Sequence, residues 1–173
     1  ALFSAGVDCL PPTPYIRPMK FPDPLIRGRL IRRYKRFLAD VELEDGPKAG
    51  EVVTAHCANP GSMLSVNEPG SEVWLSPARN PERKLKFTWE LIRVGSSLVG
   101  INTQLPNAIV AEAVEAGMFP ELGGYPSLRR EVKYGENSRI DLLPEKDGPG
   151  EGDKCYVEVK NVTMKRYLAK DAP

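Results

Sequence analysis

Residues 25–43, LIRGRLIRRYKRFLADVEL, read as two short strands, 25–34 and 36–43, rich in branched and aromatic residues and joined through a block of charge. Arg27, Arg29, Arg32, Arg33, Lys35 and Arg36 fall inside ten positions with no acid between them, and Tyr34 and Phe37 lie among or beside them. Cations gain affinity for phosphates by releasing counterions, and aromatic rings offer bases a stacking surface. The competing reading is an edge strand guarded by charge, with its aromatics in a core. Six cations exceed what edge protection requires, so the six and Tyr34 form a candidate nucleic-acid-binding set.

The same pattern of strand and turn continues on the C-terminal side. EVVTAHC (51–57), SEVWL (71–75), KFTWELIRV (86–94) and LVGINTQ (98–104) are strand-like, and the breaks carry Asp-Gly, Asn-Pro-Gly, Pro-Gly and Gly-Ser. Those dipeptides and tripeptides supply turn geometry at low strain. Five or six short strands in so few residues suggest a small barrel, of OB type or SH3-like. The pattern then changes: PNAIVAEAVEAGMF (106–119) opens on Pro, is rich in Ala and Glu and meets Gly117, which predicts a helix at a domain junction. Three more strand-like runs follow, Leu128 to Tyr134, Arg139 to Leu143 and Cys155 to Val162, and PEKDGPGEGDK (144–154) reads as an exposed hairpin loop.

Those last strands carry Glu131, Asp141, Glu158 and Lys160 at positions alternating with apolar ones. For any single strand a solvated outer face explains such charges. Together, an Asp on one strand followed across a hairpin by Glu-x-Lys is an arrangement that holds a divalent ion beside a scissile phosphate. Mg²⁺ or Mn²⁺ takes carboxylate oxygens and acidifies a bound water, and a nearby lysine orients that water and balances developing charge. This is the logic of the PD-(D/E)xK nucleases.

In His56–Met63, HCANPGSM, the lone histidine adjoins Cys57, but neighbouring strand residues point to opposite faces, so a Cys-His nucleophile is disfavoured. Asn59, Pro60 and Gly61 predict a turn exposing backbone donors to an anion. Trp74 and Trp89 are expected in a barrel core or rim.

Overall composition excludes little. Hydrophobic residues make up 41% and charged ones 27%, and no apolar run approaches the length of about 18 needed for a membrane helix. Lys and Arg total 24 against 23 acids, so affinity for a polyanion must come from local clustering. Cys9, Cys57 and Cys155 are odd in number and lack metal-ligand spacing, which favours reduced thiols in the cytoplasm. No organic cofactor is expected.

The words RRYKRFLADV, HCANPGSM, FTWEL, EVKYGENSRIDLL and YVEVKNVT, in this order, resemble the sugar fermentation stimulation protein A family, SfsA, from about Met19 onward. The resemblance implies an N-terminal OB-like β-barrel followed by a PD-(D/E)xK nuclease-like α/β domain. It also implies DNA binding and regulation of sugar (maltose) metabolism; because phosphate contacts dominate the affinity of a basic segment, little sequence preference is expected. It assigns Asp141, Glu158 and Lys160 to the nuclease-like motif, with Glu131 as an additional acid for the metal. A metal-dependent DNA nuclease and a protein-interaction barrel are the alternatives. Ala58 stands where the family commonly has proline, and Asn161 where serine is common. The family continues beyond the point matching Pro173, so the second domain is expected to be truncated. The expected organisation is therefore a leader or extended arm at 1–18, a barrel at 19–105 and a partial α/β domain at 106–173. If 1–18 lie outside the fold, deleting them leaves the melting temperature nearly unchanged in a thermal unfolding scan; a large fall would show that they pack on the barrel.

Overall fold

A computed structural model describes residues 20–146 and 152–163. The expected leader and part of the expected loop, 147–151, lie outside the described residues. By packing the chain divides into two units. One comprises residues 20–108 and 159–163, the other 109–146 and 152–158, and the division falls inside a helix.

The first unit carries β1 (Ile26–Tyr34), β2 (Leu38–Leu43), β3 (Val52–Cys57), β4 (Glu72–Pro77), β5 (Phe87–Val94) and β6 (Ser97–Gly100). They hydrogen-bond in the order β3-β2-β1-β4-β5-β6, and β3 also pairs with β5 in parallel, His56 against Thr88 and Cys57 against Trp89. That pairing closes five strands into a barrel of OB type, and β6 lies against β5. Alternation supplies the filling. Ala39, Val41 and Leu43 of β2 point inward with Leu30, Ala55, Cys57, Val73, Leu75, Trp89 and Ile92, all essentially inaccessible. Trp89 satisfies its indole N–H on the carbonyl of Leu91 at 2.9 Å, so its whole surface is buried without an orphaned donor.

β1 changes register against β2 between Leu30 and Arg32, a bulge that leaves Ile31 exposed and sets Arg32 opposite Asp40. Asp40, on the outer side of β2, collects Arg32 Nε at 2.8 Å, the Tyr34 hydroxyl at 3.1 Å and the Thr54 hydroxyl at 2.9 Å. Burial raises the pKa of this carboxyl, but the three hydrogen bonds and the guanidinium charge outweigh it and hold the group below its ordinary value. The β1–β2 loop is tight. Lys35 and Arg36 both adopt positive φ, 48° and 61°, an unfavourable region for side-chain-bearing residues. The loop is tied down by Arg33, which donates to the Arg36 carbonyl at 2.9 Å, and by Cys57 N–H on the Phe37 carbonyl at 2.7 Å.

The second unit takes up most of α1 (Pro106–Glu115), a short 3-10 turn (Pro120–Leu122), β7 (Ser127–Tyr134) and β8 (Ser138–Glu145). The helix ends as its sequence dictates: Gly117 sits at φ 72°, its N–H bonds to Val114 and that of Met118 to Ala113, a Schellman closure. β7 and β8 form an antiparallel hairpin. Two expectations differ from this structure. β8 runs through Pro144 and Glu145, both buried, so the exposed loop begins later than the glycines and prolines suggested. The run 155–162 is not a continuous strand: bridges join Glu145 to Lys154 and Leu142 to Val157, and residues 158–163 belong to no ladder.

Gly28 is the tightest point of the barrel wall. A Cβ there would lie 2.5 Å from the Glu42 carbonyl oxygen and 2.6 Å from Val41 Cγ1, so Gly28→Ala is expected to cost roughly 1–3 kcal/mol in denaturant unfolding. Asp40→Asn is expected to cost about 1–2 kcal/mol at neutral pH. Because the folded-state pKa of Asp40 is depressed, its contribution is present above the unfolded carboxylate value and disappears as pH falls through the folded one. The stability gap between wild type and Asp40→Asn, measured by urea unfolding from pH 7 downward, should therefore narrow in acid.

Candidate functional site

The basic segment of β1 is largely answered from within the barrel. Arg27 lies 3.2 Å from Glu44 and 3.5 Å from Glu72, and Arg29 lies 2.6 Å from Glu44. Glu72 also takes Arg93 at 2.6 Å, which is the leading cause of its lowered pKa, and Arg93 stacks 5.2 Å from the Trp74 ring. Arg32 is bound to Asp40 and lies 4.8 Å over the ring of Tyr34. Arg33 spends one nitrogen on the carbonyls of Arg36, Asn59 and Gly61, each at 2.9 Å. These acids are absent from the segment itself and arrive from β2, β4 and the turn after β2. Lys35 and Arg36 differ: both are exposed and neither makes an ion pair among the described residues, and Phe37 beside them is 49% exposed.

Barrel closure places a second basic loop across one rung from the first, leaving it in the opposite strand direction. Leu38, just after the β1–β2 loop, pairs with His56, and His56 pairs with Thr88, just after the β4–β5 loop. That second loop contains Arg79, Arg83, Lys84 and Lys86. Arg79 is tied to Asp23 at 2.7 Å and Lys86 reaches the Pro81 carbonyl, whereas Arg83 and Lys84 make no ion pair among the described residues. Burial, and then the charge of Arg83, hold the His56 imidazole below its usual pKa, with Glu90 opposing them.

The turn at 59–61 works in the opposite sense to the one expected. Gly61 N–H is taken by Asn59 Oδ1 at 2.9 Å, and the turn offers its carbonyls to Arg33. Cys57 is in the core, its sulfur 3.5 Å from Met63 Sδ, whereas His56 is half-buried, so the two do not form a nucleophile–base pair.

In the second unit, register decides where the acids fall. Arg130 faces Leu142 and Val132 faces Ile140, which sets Glu131 opposite Asp141. Leu142 exchanges two backbone bonds with Val157, at 3.1 and 3.0 Å, and Glu145 bridges Lys154 in the same register, which sets Asp141 opposite Glu158. Three acids thus stand in one rank across three antiparallel segments. Neighbouring segments are about 4.8 Å apart, so adjacent members of the rank are within reach of one ion and the outer two are about 10 Å apart at the backbone. Glu131 has φ 52°, a strained value inside a strand. The donor chemistry, carboxylate oxygen alone, fits a hard divalent cation. The side chains are not gathered into a cage: among the described residues no group of three His, Cys, Asp or Glu is close enough to hold a metal. Lys160 is exposed and falls in the segment that packs with the barrel unit.

One ionisable residue escaped the sequence reading. Glu145 is completely buried, 3.3 Å from Arg129 and 3.9 Å from Lys154. The clue was the period-two series Asp141, Leu143, Glu145, which continues through Pro144 into what looked like a loop.

Residues 31–101 match the family profile described as the SfsA N-terminal OB domain, and residues 104–172 match that of the sugar fermentation stimulation protein RE domain. A sugar fermentation stimulation protein homolog of Rhodospirillum rubrum is 60% identical over 159 residues, covering 90% of this chain and 63% of the relative. One from Paramagnetospirillum magneticum is 63% identical over 148 residues, covering 86% and 60%. The chain therefore spans about three fifths of the length of these relatives. Among solved structures, Pyrococcus furiosus SfsA in complex with Ca²⁺ is similar in fold, with TM-score 0.63 and 24% identity, covering 78% of this chain and 53% of that one. With a barrel half and a following half each matched to its own SfsA profile, the chain belongs to the sugar fermentation stimulation protein family.

Proposed function

We propose that the chain binds DNA with little sequence preference, as a cytoplasmic protein that regulates sugar metabolism. The observation that carries this reading is a pair of basic loops that flank one rung of the closed barrel, Leu38–His56–Thr88: Lys35, Arg36 and exposed Phe37 lead into its Leu38 end, and the loop with Arg83 and Lys84 leads into its Thr88 end. These cations make no ion pair among the described residues, and a cation without an ion pair releases counterions from phosphate at no cost in broken pairs. Arg27, Arg29 and Arg32 serve more as a balanced wall, and Arg33 as a brace for the loop. Two adjacent non-glycine residues at positive φ support a functional loop, since such strain persists where the surroundings over-determine it. No described helix is long and apolar enough to cross a membrane, and Cys57 and Cys155 are free thiols, in keeping with a reducing compartment.

A second reading is favoured by the acid rank. Glu131, Asp141 and Glu158 would take Mg²⁺ or Mn²⁺, with Lys160 as the motif's base-positioning cation, giving a PD-(D/E)xK-like nuclease site. The related Pyrococcus furiosus protein was solved with Ca²⁺. When bound, the ion supplies charge neutralisation and an acidified water; the chain supplies the carboxylates that hold it.

For DNA binding, the double variant Lys35→Ala/Arg36→Ala should flatten the slope of log K against log salt by about 0.9 per lost phosphate contact on duplex DNA. Arg27→Ala, whose cation is already compensated, should change it less. An unchanged slope in the double variant would remove the loop from the interface. For the acid rank, divalent metal should raise the melting temperature of wild type, because the ion relieves carboxylate repulsion, and Asp141→Asn should abolish the gain. In the full-length protein, metal-dependent cutting of DNA that Lys160→Ala impairs without loss of metal binding would establish the nuclease, and its absence in wild type would leave a binder.

A further inference from the structure

We infer that the second unit contains a recess for a single nucleotide unit, one base and one phosphate, lined by Arg129, Lys133, Tyr134, Lys154 and Tyr156. It goes beyond the proposed function: it needs neither the barrel loops nor a metal. The recess has a volume of about 320 Å³, at the small end of the range for small-molecule sites. Among the described residues, three of its lining residues are cations and none is an acid.

The two tyrosines face one another with ring centroids 5.3 Å apart and planes inclined by 55°, and each is 53% exposed. Tyrosines left this open in a small unit give up apolar burial worth keeping, and they provide ring faces on which a base of any identity stacks. The cations have a built support. Glu145, wholly buried, lies 3.3 Å from Arg129 and 3.9 Å from Lys154, and its Oε1 has no hydrogen-bond partner among the described residues. A buried carboxylate is retained at a cost unless cations satisfy it, so Glu145 fixes two positive groups in place and acts as a positioning residue. A guanidinium has five N–H donors and an ammonium three, so neither is exhausted by this contact. Lys133, exposed and without an ion pair among the described residues, adds a third positive charge. Aromatic faces beside a cluster of cations fit a base attached to a phosphate better than either part alone.

The test is isothermal titration calorimetry of the intact chain with thymidine 5′-monophosphate, thymidine, inorganic phosphate and a short oligothymidylate. The nucleotide should bind one to one and more tightly than thymidine or phosphate. Tyr156→Ala should weaken it at least about five-fold, the lower end of the effect of losing one stacking surface. Lys133→Ala should weaken the nucleotide while leaving thymidine unaffected. Both side chains are exposed, and an unchanged melting temperature of each variant shows that the fold is kept. Oligothymidylate binding tighter than the mononucleotide would support the site and identify its source as a single strand; equal binding would support it and identify a free nucleotide. Absence of nucleotide binding, phosphate binding as tightly as the nucleotide, or affinity unchanged in both variants would overturn the proposal. None of these results bears on the salt slope of the barrel loops, so the two readings fail separately.

Discussion

Two rungs of parallel pairing, His56 with Thr88 and Cys57 with Trp89, turn the six-stranded sheet into a closed barrel. Without them β3 would be a free edge and Trp89 would have no opposite wall. Closure removes an edge that would otherwise recruit foreign strands, and it encloses the largest side chain of the core. It also has a positional effect. Loops distant in sequence, one ending before Leu38 and one before Thr88, come to flank a single residue, His56. The surface on which a ligand would sit is thus a by-product of how the core closes.

The charges show how little a local count reveals. A stretch with six cations and no acid is, in three dimensions, an ion-paired wall: Glu44 bridges Arg27 and Arg29, Glu72 bridges Arg27 and Arg93, and Asp40 holds Arg32. Such exposed pairs contribute little each to stability. Their consequence is electrostatic, since they offset the positive charge along β1, whereas Lys35, Arg36, Arg83 and Lys84 make no ion pair among the described residues.

Much of the fold was legible because period and punctuation are local. The alternation of Ala39, Val41 and Leu43, and the glycine that stops the helix at 117, act within a few residues, and β2 and α1 appeared where their patterns placed them. What could not be read is pairing. Nothing in the chain announces that Glu131, Asp141 and Glu158 share a rank, because register is set by backbones meeting over dozens of residues. The same holds for the acids that neutralise β1. Glu145 was missed for the converse reason: turn-forming neighbours outweighed a periodicity that tertiary burial obeyed. At the NPG turn the residue types correctly signalled a turn, but which of its groups were spoken for depended on Arg33, whose guanidinium comes from another strand.

The chain leaves the barrel unit inside α1 and rejoins it at residue 159, where Asn59 donates to the Thr163 hydroxyl at 3.5 Å across a sequence separation of 104 residues. A ribosome adding about 5–20 residues per second makes Thr163 roughly 5–20 s after Asn59. All six strands of the barrel unit have emerged long before that, and small barrels form within milliseconds to seconds. The barrel is therefore a template already set when its last segment arrives, and the second unit is translated as an insertion whose far end must find a finished surface.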